Sequence, residues 1–91
     1  METTGKIKMI FDTVKVSDKF SRRELVITTE DKYPQDILFQ VTNDKCKLLD
    51  NLNIGQDIKV HFNLRGREWN GKYYNNLEAW KLEFNNDSNP F

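Results

Sequence analysis

Arg65, Arg67 and Trp69 recur at two-residue intervals and are followed at once by Asn70-Gly71, Lys72 and the pair Tyr73-Tyr74. In an extended chain successive side chains point to opposite faces, so two guanidiniums and an indole share one face. The chemistry open to such a set is non-covalent: cations neutralise phosphates and flat rings stack on bases without regard to sequence. Upstream, Ile58, Val60, Phe62 and Leu64 hold the even positions while Lys59, His61 and Asn63 hold the odd ones, the period of a half-buried strand. The even side is read as core, and the odd register runs on into the arginines and the tryptophan. Asn70-Gly71 tolerates two positive φ angles and predicts a tight hairpin turn. If pairing holds throughout, the outgoing strand has about twice the usual ~5–6 residues, and its tip must project as a ribbon or curl strongly.

Composition bounds what else the chain does. The 91 residues make one domain, with residues 1–84 as its folded body and 85–91 (NNDSNPF) as an aperiodic tail. The single Cys46 has no partner for an internal disulfide, and one histidine makes no zinc constellation; no metal or cofactor is expected. No apolar run approaches the ~20 residues of a membrane span, and METTGKIK is no signal peptide, so a soluble cytoplasmic protein is expected. With 14 basic and 14 acidic residues the net charge is zero, which argues against a global field for a polyanion. The four arginines nonetheless fall in two places, Arg22-Arg23 and Arg65/Arg67.

The elements that must position these groups read in order as follows. Residues 5–16 alternate with Ile7, Met9 and Phe11 on one parity, then Val14 and Val16 on the other, which predicts a long first strand bent or bulged near Asp12-Thr13. SDKFSRR is a polar turn whose Phe20 is expected to tuck onto the barrel end. Residues 23–29 form a second strand with Leu25 and Ile27 inward, EDKYPQ a loop around Pro34, and Asp36–Thr42 a third strand with Ile37, Phe39 and Val41 inward. Asn43 is read as the N-cap of a short helix with Cys46, Leu49 and Leu52 at three-residue spacing, closed by Ile54-Gly55. In the last strand, Tyr73–Phe84, Leu77 and Ala79 hold one parity and Trp80, Leu82 and Phe84 the other, which predicts a second register change or burial on both faces, and Trp80 is assigned to the core or the barrel end.

Three strands, a helix and two strands, with a bend in the first, is the layout of an all-β fold with one helix, the five-stranded OB-fold barrel. Its second and third strands and its 1–2 and 4–5 loops make the ligand face, where both arginine pairs fall. IGQDIKVHFNLRGREWNGKYYNNLEAWKLE resembles the fourth and fifth strands of bacterial and phage single-stranded DNA-binding proteins. With TGK, YPQDILFQV, NDK and the Pro-Phe ending, the chain is more similar still to a compact OB-fold family of Bacteroidetes and their phages. That resemblance implies DNA contact by Arg65, Arg67 and Trp69. It also implies recruitment of replication and repair proteins by Asp87, Pro90 and Phe91, and a bacterial or phage-infected cell. Relatives carry an aromatic residue followed by glycine at the end of the third strand, where this chain has Thr42-Asn43. At ~1–3 kcal/mol per stacked base, one lost platform weakens binding about tenfold unless Tyr33, Tyr73 or Tyr74 replaces it.

The reading is a non-enzymatic, sequence-tolerant binder of single-stranded DNA serving replication, recombination or repair. Arg22, Arg23, Arg65, Arg67 and Lys72 would meet phosphates, and Trp69 with Tyr33, Tyr73 and Tyr74 would meet bases; a homo-oligomer is expected. A protein-interaction or oligomerisation module and an RNA-binding OB protein stay open as alternatives, because stacking rings do not read the 2′-hydroxyl. No motif places a nucleophile near His61, which is read as solvated strand surface.

Overall fold

The computed structural model describes residues 1–84, and Asp87, Pro90 and Phe91 lie outside the described residues. The elements are β1 (Glu2–Ile10), β2 (Val14–Ser17), β3 (Phe20–Thr29), β4 (Asp36–Thr42), a 3-10 helix (Asn43–Asn51), β5 (Asp57–Trp69) and β6 (Lys72–Phe84). β1 pairs with both β3 and β5, β3 with β4, β4 with β6, and β6 with β5, which closes a ring of five strands. β2 extends β3 at the rim, so β1 and β2 are the two halves of the bent first strand of an OB-fold barrel. Ile7, Leu25, Ile27, Phe39, Val41, Ile58, Val60 and Ala79 fill its interior, with Cys46, Leu49 and Leu52 of the helix in the same buried cluster.

The first strand breaks at residues 11–13 as its parity foretold, but the faces change earlier. Ile7 pairs with Ile27 and Met9 with Val26, so Lys8 is the extra residue of a bulge. The slip hands the inward place to Ile10 and leaves Met9 and Phe11 exposed, where alternation alone puts them beside Ile7. β1 also runs very close to β3 at Gly5, where a Cβ would sit 2.3 Å from the carbonyl oxygen of Thr28. Phe20 opens β3 rather than a loop and stays exposed, because the turn is confined to Asp18-Lys19.

The three-residue spacing of Cys46, Leu49 and Leu52 suits a 3-10 helix, in which side chains three apart eclipse, and that is the helix observed. Asn43 does not cap it. The capping position is Thr42, without a side-chain bond, and Asn43 takes a left-handed φ of 51° while its Oδ1 accepts a hydrogen bond from the Ser21 N–H at 3.0 Å.

A second bulge lies on β6. His61 pairs with Lys81 and Phe62 with Ala79, which leaves Trp80 unpaired and 46 % exposed instead of buried at the core or barrel end. Past Asn63 and Glu78 the strands run on as a two-stranded ribbon beyond the barrel. Leu64, expected in the core from its parity, is 61 % exposed for that reason.

Candidate nucleic-acid interface

The ribbon turns at Asn70 (φ 54°) and Gly71 (φ 78°), the two left-handed residues of a two-residue hairpin loop, with Trp69 opposite Lys72. Residues opposite each other in an antiparallel pair share a face. Arg65 lies opposite Asn76, Arg67 opposite Tyr74 and Trp69 opposite Lys72, so the outward face carries three cations and two rings. Tyr73, opposite Glu68, falls on the other face with Leu64 and Leu77. Of the paired tyrosines, Tyr74 alone accompanies Trp69. Gly66 faces Asn75 on that second side, where a Cβ would come 3.1 Å from Asn75 Oδ1.

The guanidiniums are not equivalent. Arg65 Nε donates to Glu78 Oε1 at 3.0 Å across the ribbon's base. Arg67 and Lys72, nearer the tip, have no acidic partner among the described residues. Trp69 is 60 % exposed, which leaves a broad indole face free for stacking.

Arg22 and Arg23 part company, since neighbours on a strand face opposite ways. Arg22 is exposed and paired with Thr42 on the outward face of β3 and β4. Arg23, read from the sequence as a phosphate contact, turns towards the helix, and its side chain is only 13 % exposed. Its Nε donates to the Phe11 carbonyl at 2.6 Å, and Nη1 donates to the Cys46 carbonyl at 3.2 Å and to Asp50 Oδ1 at 2.6 Å. That guanidinium ties the broken first strand to the helix and is not presented to a ligand. Between Arg22 and the ribbon a row crosses the outward face from Glu24 through Gln40 to Glu78 and Asn63. Tyr33, 73 % exposed in the β3–β4 loop with Lys32 Nζ 5.7 Å from its ring centre, belongs to neither cluster.

His61 is the other revision. Its side chain is 15 % exposed, set between Glu2, 3.5 Å from Nδ1, and Glu83, in contact with Nε2, with the Trp80 ring 5.4 Å away. Around it Lys59 pairs with Glu2 at 3.0 Å and Lys6 with Asp57 at 2.6 Å. The Lys59 hydrogen bond holds the Glu2 carboxyl below its ordinary pKa, and the His61 hydrogen bond does the same for Glu83. Asp57 and Glu2 in turn push Lys6 and Lys59 up. No alternation pattern shows this mesh, because its members come from β1, β5 and β6.

Among the described residues no helix is long and apolar enough to cross a membrane, and no group of histidine, cysteine and carboxylate side chains gathers to hold a metal.

A closed ring of five strands with a 3-10 helix between β4 and β5 defines an OB-fold protein, and solved structures agree with it. The mitochondrial single-stranded DNA-binding protein of S. cerevisiae superposes with a TM-score of 0.77 at 13% identity, over 92% of this chain and 91% of that one. The N-terminal domain of PriB from Thermoanaerobacter tencongensis, described as dimeric, gives 0.67 at 14% identity over 92% of each chain. The single-stranded DNA-binding protein of Thermus aquaticus gives 0.76 at 16% identity over 91% of this chain but 48% of its own length. By sequence no curated protein matches. The chain belongs to the family described as a domain of unknown function (DUF3127), which matches residues 2–83.

Proposed function

We propose that this protein binds single-stranded DNA with little regard to sequence and performs no chemistry on it. One observation carries the reading: the outward face of the ribbon sets an exposed indole and a tyrosine beside guanidinium and ammonium groups, and Arg67 and Lys72 there have no acidic partner among the described residues. Phosphates would be met by Arg67 and Lys72, with Arg65 and Arg22 flanking them, and bases by Trp69 and Tyr74. The shared fold with the single-stranded DNA-binding proteins of S. cerevisiae mitochondria and of Thermus aquaticus supports the assignment. Coating of strands in replication, recombination or repair, in a bacterial cytoplasm, is the role that fits. Asp87, Pro90 and Phe91 would recruit partner proteins as a terminal peptide.

The test is quenching of tryptophan fluorescence by oligo-dT across a salt series. Three to four phosphate contacts predict a logarithmic salt slope of roughly −2 to −3. Trp69→Ala should weaken binding about tenfold, the worth of a stacked base, at unchanged thermal stability. A flat salt dependence, or full affinity without the indole, would sink the assignment. A chain shortened by residues 85–91 should bind oligo-dT normally and lose only its protein partners.

A second reading rests on the other side of the ribbon. Leu64 at 61 % and Tyr73 at 77 % exposure give that face an apolar surface that an oligomer could cover. On this reading the expected homo-oligomer forms there, and Leu64→Asp would lower the mass seen by sedimentation.

A further inference from the structure

The parallel pairing of β4 with β6 consists of one position, Gln40 beside Glu78, beyond which the ribbon swings away. The divergence opens a cleft of about 150 Å³ lined by Glu24, Leu38, Gln40, Asn75, Asn76 and Leu77. Glu24 and Gln40 are half-buried and lie opposite each other on β3 and β4. None of the four polar side chains has a side-chain hydrogen bond to any group among the described residues. Elsewhere on the barrel surface comparable carboxylates are taken up, as Glu2, Asp36 and Asp57 are by lysines. Leucines beside the carboxylate of Glu24 and the amides of Gln40 and Asn76, which share the outward face and are uncommitted, make a small pocket for a flat polar ligand.

We propose that this cleft is a nucleobase subsite that favours bases with an exocyclic amino group over thymine, an inference that rests on the single-stranded DNA reading above. Leu38 and Leu77 give a ring an apolar seat, and the volume limits the occupant to one base. The Glu24 carboxylate only accepts hydrogen bonds, so it takes the amino group of cytosine, adenine or guanine, as a glutamate does with cytosine N4 in duplex DNA. Thymine sets two carbonyl oxygens around its single N–H, and each is repelled by the carboxylate. Gln40 and Asn76 each donate and accept, and so complete the pattern around any amino-bearing base without choosing among them. The backbone is kept out by the same charge. Glu24 repels phosphate in the row that crosses the face, while Arg22 on one side and Arg67 on the other attract it. A strand spanning the two basic groups must turn a base, not a phosphate, towards the cleft.

The experiment is fluorescence anisotropy of labelled oligo-dC and oligo-dT of matched length at neutral pH, titrated with the full chain and with Glu24→Gln. Both are pyrimidine strands, so differences in self-stacking contribute little to the ratio. The full chain should bind oligo-dC about tenfold more tightly, the discrimination of one well-placed base contact. In Glu24→Gln the ratio should fall towards one while oligo-dT affinity is kept or raised, since a repelling charge is gone; Asn76→Ala should narrow the ratio less. Equal affinity of the full chain for both strands would overturn the subsite and leave single-stranded DNA binding standing. Binding of neither strand would overturn both, and a ratio unchanged in Glu24→Gln would overturn the role of that carboxylate.

Discussion

Strand β5 carries basic side chains on one register, and they differ in what surrounds them. In its first half Lys59 and His61 are held by Glu2 and Glu83 from the flanking strands β1 and β6. Further on Arg65 keeps one carboxylate, Glu78, and at Arg67 no acidic partner remains among the described residues. The alternation does not change along the strand; the neighbours do. Inside the barrel β5 has a strand on each side and each supplies acids, whereas in the ribbon β6 is its sole companion. Charge spent within the barrel wall holds strands together, and charge carried to the ribbon's tip has no acidic partner among the described residues.

That contrast is open to attack from both ends. The largest effect is expected from Arg23→Ala on the structural side. It removes donors from the Phe11 and Cys46 carbonyls and from Asp50, at a cost of about 1–3 kcal/mol and several degrees of melting temperature by calorimetry. Its oligo-dT affinity at low temperature should be that of the parent, and a large loss of affinity there would return Arg23 to the binding face. Arg67→Ala should do the converse, lowering affinity several-fold and flattening the salt slope by about 0.7 with the melting temperature unmoved.

Acid should separate the halves of β5 without mutation. Glu2, Asp36 and Glu83 titrate below their ordinary values in the fold, so each contributes stability that is full above the unfolded carboxylate range of ~3.9–4.3 and is lost as pH falls through the lowered folded values. Lys6 and Lys59 are raised, so their contribution is full below the unfolded lysine value of ~10.4 and is lost as pH climbs through the folded ones. The melting temperature should therefore sag at both extremes and stay level between pH ~5 and ~9, the pairs being exposed and each weak. The smallest change belongs to Glu78→Gln. Freeing Arg65 should tighten oligo-dT binding by about twofold at low salt, and by less as salt screens the charge.

Much of the architecture is legible because it is local. Alternation places Phe39, Val41, Ile58 and Val60 inside, Asn70-Gly71 turns the ribbon where two left-handed residues are needed, and three-residue spacing in NDKCKLLDN anticipates which residues the helix buries. Met9, Leu64 and Trp80 fail on the same rule, since two bulges and the end of the barrel shift parity or remove the partner that burial requires. The proposed binding face is legible as a set of residue types but not as a membership. Arg22 and Arg23 look alike in the chain, yet Asp50 and two carbonyls claim one of them; Tyr73 and Tyr74 look alike, yet they point to opposite sides. Glu24, Gln40, Asn75 and Asn76 carry no signal at all, being ordinary polar strand residues until β4 and β6 diverge.

The order of residues by itself determined the strands, the hairpin and the apolar lining, because each depends on neighbours a few positions away. Which cations stay unpaired and which polar groups meet in a cleft was decided only when β1 and β6 closed around β5 and β4 met β6. Pairing of charges depends on residues brought together from distant parts of the chain, and a single bulge exchanges the faces on which they meet.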